Sequence, residues 1–447
     1  MSDLLAARSQ MAVSLYFHIL FAVVGIGMPL LMVVAEARYR RTGDPICLDL
    51  AKRWGKGTAI LFAVGAVSGT VLSFELGLLW PTFMEFAGPV IGMPFSLEGF
   101  AFFLEGIFIG VYLYGWDRIP PRAHLLAGVM VAVSGAASGV FVVIANAWMN
   151  APAGFDLVDG RMANVDPIAG MLNPMAFQQT LHMTLASYAA TGFAVAGIHA
   201  FLLLFDRANA FHRRALAIAL LVGAPAAVLQ PISGDLSARA VAENQPAKLA
   251  AMEAHFETGR HVPLIVGGIP DPDRRETRYA VRIPGGLSFL AFHDVNAEVK
   301  GLEEFPRADW PNVPIVHTAF QVMVGLGTIL ALLSLWAGAL ALRRRDLSEH
   351  VWLLRALALA APMGFLAIEA GWTVTEVGRQ PWVVYGILRT ADAVTPMPGL
   401  IVPFLGFSLL YCFLGIIVAW LLYRQIIRSP RPTEWTRTYA PPSLDHA

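Results

Sequence analysis

Residues 352–382 read WLLRALALAAPMGFLAIEAGWTVTEVGRQPW, an apolar run that closes on two carboxylates, Glu369 and Glu376, followed by Arg379. The run is long enough for a helix to cross a hydrocarbon core of roughly 30 Å, which takes about 20 residues. Glu369 and Glu376 are seven residues apart, almost two helical turns. They therefore share one helix face at a separation of roughly 10 Å. Gly378 and Pro381 end the helix, since Pro has no backbone N–H to donate. Arg379, Trp372 and Trp382 are then expected where a membrane helix meets water. A carboxylate inside a bilayer is costly and marks a functional site by default.

Working outward, the composition agrees with a membrane protein: 56% of the 447 residues are hydrophobic and 14% are charged. Apolar stretches recur at about 12–36, 54–79, 95–115, 124–148, 178–205, 214–232, 314–341, 352–377 and 399–423. The fold class is an all-α integral membrane protein with about nine transmembrane helices. Transmembrane strands would show short alternating segments instead. Basic residues gather in one set of connections, including Arg38, Arg40, Lys52, Arg53, Arg118, Arg213, Arg343 and Arg424. By the positive-inside rule the N-terminus faces outside and the C-terminus the cytoplasm.

The chain divides into helices 1–6 (1–232), an extracytoplasmic loop (233–313), helices 7–9 (314–428) and a Pro-rich tail (429–447) expected to be a disordered cytoplasmic end. The first apolar run lacks the flanks of a signal peptide and is read as a mature helix. Cys47 and Cys412 are too distant in the topology to suggest a disulfide or an iron–sulfur site. The zero net charge and the absence of a basic tract give no indication of a nucleic-acid partner.

Several polar residues interrupt the spans. His18 lies in the first, His182 opens the fifth and Met323 stands in the seventh. A lone His or Met in an apolar helix is more often packing than ligand, yet His with Met is one axial pair of a low-spin haem. The third span holds Glu98 and Glu105, again seven apart, and the fourth holds Ser138 and Asn146. A helix-start carboxylate would be an ordinary account of Glu98, but Glu105 is deeper by about 10 Å. Glu75 on the second span is a further candidate, and His124, His199 and His317 are rival ligands that spacing does not exclude. On this topology His18, His182, Met323, Glu98 and Glu376 fall in the outer half of the membrane.

These residues resemble subunit I of the cytochrome bd-type quinol oxidases from Arg8 to about Tyr423. The resemblance rests on Glu376 with Gly378-Arg379-Gln380-Pro381-Trp382, on Phe102-Phe103-Leu104-Glu105, on Gly115-Trp116-Asp117-Arg118, and on Ala145-Asn146-Ala147-Trp148-Met149. It implies a bacterial inner-membrane subunit with three haems: a low-spin haem b, a high-spin haem b, and haem d or a third haem b in its place. Its substrates would be dioxygen and ubiquinol or menaquinol. By this resemblance His182 and Met323 ligate the low-spin haem, His18 and Glu376 are proximal ligands of the high-spin haems, and Glu98 lies beside them. Trp372 would stand between haems, Arg379 with Arg8 would pair propionates, and Glu105, Ser138 and Asn146 would mark a proton route from the cytoplasm. The family works with a subunit II and, in some members, small single-helix subunits, all within membrane lipid.

In the long loop, Pro246-Ala247-Lys248-Leu249-Ala250-Ala251-Met252-Glu253 matches the family's quinol segment and points to Lys248 and Glu253. On spacing alone, a charged face on a solvated helix is the plainer account of these two. The short loop, the Gln321 two residues before Met323 where others carry Arg, and the seven-residue spacing of Glu98 and Glu105 resemble the cyanide-insensitive branch. The implied chemistry is quinol oxidation at the outer face with proton uptake from the cytoplasm and no pump. A secondary transporter would show paired repeats and broken midplane helices, which the sequence lacks. A haem-bearing anchor without oxygen chemistry would leave His18 and Glu376 without a role.

Overall fold

The structure, a computed structural model, describes residues 1–426. The proposed tail at 429–447 lies outside the described residues. Local sequence signals set the helix starts. Ser2 caps α1 (Asp3–Thr42) by accepting from Leu5 N, and Gly43 ends it in the left-handed conformation with its N–H on Tyr39 O. Asp44 caps α2 (Pro45–Leu79), and proline also occupies the first turn of α3 (Pro81–Tyr114) and α4 (Pro121–Asn150). There proline's missing N–H leaves no bond unmade. The chain continues through α5 (Ala176–Phe205), α6 (Ala210–Asn244) and the short α7 (Pro246–Met252). After the loop come α8 (Val313–Leu342), α9 (Val351–Ala360), α10 (Met363–Val377) and α11 (Ile401–Ile426).

Among the described residues nine helical segments are long and apolar enough to cross a membrane, with α9 and α10 together forming one of them. They run alternately up and down, which brings α1's start, α4's end, α6's end, α8's start and α10's end to one end of the bundle. Residues 245–312 lie there, so it is called the loop end below. Several bounds differ from those expected, and the first helix already runs from Asp3 to Thr42 instead of 12–36. The third helix begins at Pro81 instead of near 95, so Glu98 is mid-helix and not a helix-start carboxylate. The second begins at Pro45, α6 continues past 232 to Asn244, and the eighth span is broken at Ala361–Pro362. Prolines inside α3 (Pro89, Pro94) and α6 (Pro225, Pro231) stay within long helices, where neighbouring helices can absorb the lost bond.

Small residues let the central helices meet. A Cβ at Gly192 on α5 would stand 2.5 Å from Gly223 Cα on α6, so this crossing needs glycine on both sides. Around it Phe193, Leu203, Leu216, Leu353 and Leu357 form one buried core. A second core of Trp80, Phe83, Ile91, Trp148 and Val384 lies near the loop end. The loop itself is built from short antiparallel pairs, among them Leu264–Val266 with Val281–Ile283 and Ile269–Asp271 with Glu276–Arg278. Large apolar side chains such as Phe74, Phe100 and Ile416 point outward, as a lipid-facing surface requires.

Candidate functional site

The site is organised along one face of α4. Gly135, Ser138, Asn146 and Asn150 recur at steps of three to eight residues, close to multiples of the helical period. They span roughly 22 Å along the axis. Glu105 faces the inner part of this row: a Cβ at Gly135 would stand 3.2 Å from its Oε1, and one at Gly25 would stand 3.6 Å away. Glu105 is buried, and its Oε1 has no hydrogen-bond partner among the described residues. Glu98, half-buried, lies within hydrogen-bonding reach of Ser138. Nearer the loop end, Asn146 Nδ2 donates to Glu376 Oε1 at 2.5 Å.

Glu376 stands at the end of α10, where Gly378 stops the helix. Arg379 Nη2 donates to its other oxygen at 2.5 Å. Arg379 is 2% exposed, a correction to the expectation that it meets water, and its Nε and Nη1 have no partner among the described residues. Trp372, one turn before Glu376, lines a cavity of about 180 Å³ together with Arg8, Tyr16, Glu376, Arg379 and Gln380. Arg8 is exposed at its rim. Glu369 is half-buried, and neither of its carboxylate oxygens has a partner among the described residues.

The two histidines on α1 and α5 are oriented in the same manner. His18 Nδ1 lies 3.0 Å from Ser68 Oγ, and that hydroxyl donates to Val64 O at 3.0 Å. The serine proton is therefore committed, so Nδ1–H donates and the Nε2 lone pair is free. His182 Nδ1 lies 2.9 Å from Ser233 Oγ, which donates to Gln230 O at 2.9 Å, with the same consequence. Gln230 Nε2 stands 3.1 Å from His182 Nε2 and 3.3 Å from its Nδ1, over the ring and not on the Nε2 lone pair, and it donates to His182 O at 3.1 Å. Glycines make room beside the candidate ligands. A Cβ at Gly69 would come within 2.8 Å of His18 Cε1, and one at Gly371 within 3.0 Å of Met323 Sδ. Met323 on α8 and His182 on α5 both lie on helices that pack against α10.

In the loop, Lys248 and Glu253 are each 3% exposed, so the solvated-face account does not hold. Lys248 Nζ donates to Asn150 Oδ1 at 2.6 Å. Burial, and then the neighbouring Arg379 charge, pull its ammonium well below its ordinary value, against the favourable charge of Glu376. Glu253 Oε2 has no partner among the described residues, and burial pushes this carboxyl up to about 8. No ion pair joins Lys248 to Glu253 among the described residues. The loop is fastened to α8 by two residues one turn apart. His317 reaches Met252 O (2.7 Å) with Nδ1 and Gly267 O (3.0 Å) with Nε2. Gln321 accepts from Gly267 N and donates to Ile265 O.

The rival histidines are engaged by protein groups. His317 is taken by the loop, His124 by Glu36 Oε1 and Tyr112 O at 2.9 Å each, and His199 by His212 at 2.9 Å. Glu75 accepts from Gln10 and Ser14 between α1 and α2. Residues that sequence reasoning passed over are Ser68, Ser233, Gln230 and Asn150. Only Asn150, one turn after Asn146, carried a visible signal. The donor set fits the haems that the resemblance implies. It offers two oriented imidazoles, a thioether, a carboxylate, and a buried guanidinium with donors left for an anionic edge.

The family model "Cytochrome bd terminal oxidase subunit I" matches residues 6–430. A Bacillus subtilis (strain 168) protein provisionally named a cytochrome bd menaquinol oxidase subunit I is 39% identical, over 96% of this chain and 98% of that protein. Another from the same organism, named cytochrome bd ubiquinol oxidase subunit 1, is 33% identical over 95% of this chain and 94% of that one. The solved structure of bd oxidase from Geobacillus thermodenitrificans superposes with a TM-score of 0.90 at 39% identity, covering 96% of this chain and 99% of that one.

Proposed function

Since the chain belongs to the cytochrome bd terminal oxidase subunit I family, we propose that it is the haem-bearing subunit of a respiratory oxidase that oxidises quinol and reduces dioxygen. It is a multi-pass protein of the bacterial inner membrane. Two quinols and one dioxygen give two quinones and two waters, so protons released and protons consumed balance overall. The separation of charge comes from where they are released and taken up, without a pump. The loop end faces outward and the opposite end the cytoplasm.

His182 and Met323 hold a low-spin haem b, while His18 and Glu376 hold the two high-spin haems, one b and the other d or b. Bound, these groups pass electrons from quinol and bind dioxygen for its reduction. The protein's own residues do the rest. Ser68 and Ser233 fix the tautomers of the two ligand histidines. Arg379, with Arg8 at the rim, neutralises the anionic edge of the bound group, and Trp372 fills the wall beside it. Lys248 and Glu253 bind the quinol head group, and Glu253 takes a proton. Glu105, Ser138 and Asn146 carry protons from the cytoplasmic side along α4, and Glu98 stands beside the high-spin haem ligands. A subunit II, and small single-helix subunits where present, cover part of the apolar flank. The short loop supports assigning the chain to the cyanide-insensitive branch, and the quinol is ubiquinol or menaquinol.

The observation that supports this reading best is the buried cluster of Glu376, Arg379 and Asn146 beside the Trp372-lined cavity. Reduced-minus-oxidised and carbon monoxide difference spectra with haem extraction on the purified complex test it. One low-spin b haem and two high-spin haems, at least one binding carbon monoxide, are expected. A far-red chlorin band would assign haem d to the third place. A protein purified without haem would remove the oxidase reading.

A further inference from the structure

Asn150 is the last residue of α4 and is fully buried. Its amide joins two parts of the molecule that lie almost a hundred residues apart in sequence. Lys248 Nζ donates to Asn150 Oδ1 at 2.6 Å. Asn150 Nδ2 donates to Asn146 Oδ1 at 3.0 Å and to Asn146 O at 2.9 Å. Asn146 Nδ2 donates in turn to Glu376 Oε1 at 2.5 Å, and Arg379 closes the string on Oε2.

The chemistry of the two ends fixes the direction of the whole string. An ammonium has only donors and a carboxylate only acceptors. Oδ1 of Asn150 must therefore face Lys248, and Nδ2 of Asn146 must face Glu376. Neither amide can be turned over without placing donor against donor at Lys248 or acceptor against acceptor at Glu376.

The placement of Lys248 is otherwise hard to sustain. Its stem crosses close to the turn after α10, where a Cβ at Gly378 would stand 3.0 Å from Lys248 Cγ. Its charge is buried, and the nearest guanidinium, Arg379, repels it. A buried ammonium without an acceptor is strongly disfavoured. Asn150 supplies that acceptor, and the end of α4 holds it in place.

We propose that Asn150 is a positioning residue of the quinol site. It turns the Lys248 ammonium inward and leaves its other two N–H groups for an oxygen of the quinol head group. Through Asn146 it also ties that placement to the Glu376 carboxylate. This rests on the reading of Lys248 as a quinol-binding residue, and the test separates the two.

The purified complex is compared as wild type, Asn150→Leu, Asn150→Asp, Lys248→Met and the Asn150→Leu/Lys248→Met double variant. The readouts are quinol KM and kcat, the affinity of a quinone-analogue inhibitor, and the reduced-minus-oxidised spectrum. Loss of a hydrogen bond to a charged group predicts that Asn150→Leu raises KM and weakens the inhibitor by about tenfold or more, with a much smaller change in kcat. Asn150→Asp keeps the acceptor for Lys248 but sets its second oxygen against Asn146 Oδ1 and O, so it recovers part, and not all, of the inhibitor affinity lost in Asn150→Leu. In the Lys248→Met background Asn150→Leu adds nothing, as a double-mutant cycle requires of a residue acting through Lys248.

An unchanged KM in Asn150→Leu beside a raised KM in Lys248→Met overturns the positioning role alone. Additive effects in the double variant do the same. An unchanged KM and inhibitor affinity in Lys248→Met overturn the quinol-site reading, and this inference with it. Should Asn150→Leu fail to assemble, Asn150→Ser, whose hydroxyl is too short to reach Nζ, carries the same expectation.

Discussion

Glu253 is the residue whose behaviour the structure makes most specific. It stands directly after α7, is 3% exposed, and has Oε2 without a partner. Burial pushes its carboxyl from an ordinary 4.5 to about 8. About a tenth of the side chains are then ionised at pH 7 and about nine tenths at pH 9. A quinol that gives up its proton to this carboxylate is oxidised faster as that fraction grows. kcat/KM for quinol should rise roughly tenfold between pH 7 and pH 9, and Glu253→Gln should flatten the profile.

Stability supplies a second arm with a definite sign. The folded protein holds the Glu253 proton more tightly than the unfolded chain. The resulting stabilisation is fully present below the ordinary carboxyl value of 4.5 and is lost as pH rises through about 8. Glu253→Gln does not lose it, so the variant should melt at about the wild-type temperature below pH 4.5 and increasingly above it from pH 6 to pH 9. The upper bound on the gap is on the order of 5 kcal/mol. Initial rates with a soluble quinol and thermal melts in detergent measure both arms. A wild-type rate profile that is flat across this range, or a slope that survives Glu253→Gln, refutes the assignment.

Three further substitutions follow from the geometry. Gly69→Ala sets a methyl 2.8 Å from His18 Cε1 and should cost one haem per molecule by extraction. Gly57→Ala on the same helix, with open space around it, should leave the count unchanged. Ser233→Ala frees the His182 tautomer and should weaken retention of the low-spin haem by about 10–100-fold, measured by its loss on dilution in detergent. His317→Phe removes both bonds from α8 to Met252 and Gly267. It should speed proteolysis within residues 253–312 while leaving the carbon monoxide difference spectrum in place.

The sequence shows the spans plainly because a bilayer demands apolar length, and that demand is local. It shows the ends of the spans less well. Residues 81–94 of α3 carry Glu85, Pro89 and Pro94 and look like a connection, yet tertiary contacts keep them helical. Residues 233–244 are polar enough to read as loop, but they extend α6 and place Ser233 beside His182. The site shows the same division. Glu376, Arg379 and Asn146 stand out as polar residues in apolar runs. Ser68 and Ser233 do not, because a serine in a helix usually bonds its own backbone, and both of these do so while also accepting from an imidazole. Lys248 was legible as a charge, but its burial was not. That depends on Asn150 and Gly378, both far from it in the chain.

The division between satisfied and unsatisfied polar groups bears on function. In an apolar interior a polar group without a partner is costly, so a scaffold tends to pair every such group. His124 with Glu36 Oε1 and His317 with the loop carbonyls are paired and hold elements together, and the asparagines of α4 are paired too, reaching Glu376 and Lys248. Among the described residues open buried donors and acceptors are widespread, on Gln10, Glu36 and Glu75 as well as on Arg379, Glu369, Glu105 and Glu253, so an open atom alone does not mark a functional group. It becomes an argument where a second observation stands beside it. Arg379 lines the Trp372 cavity, and Glu253 directly follows the buried Lys248 segment.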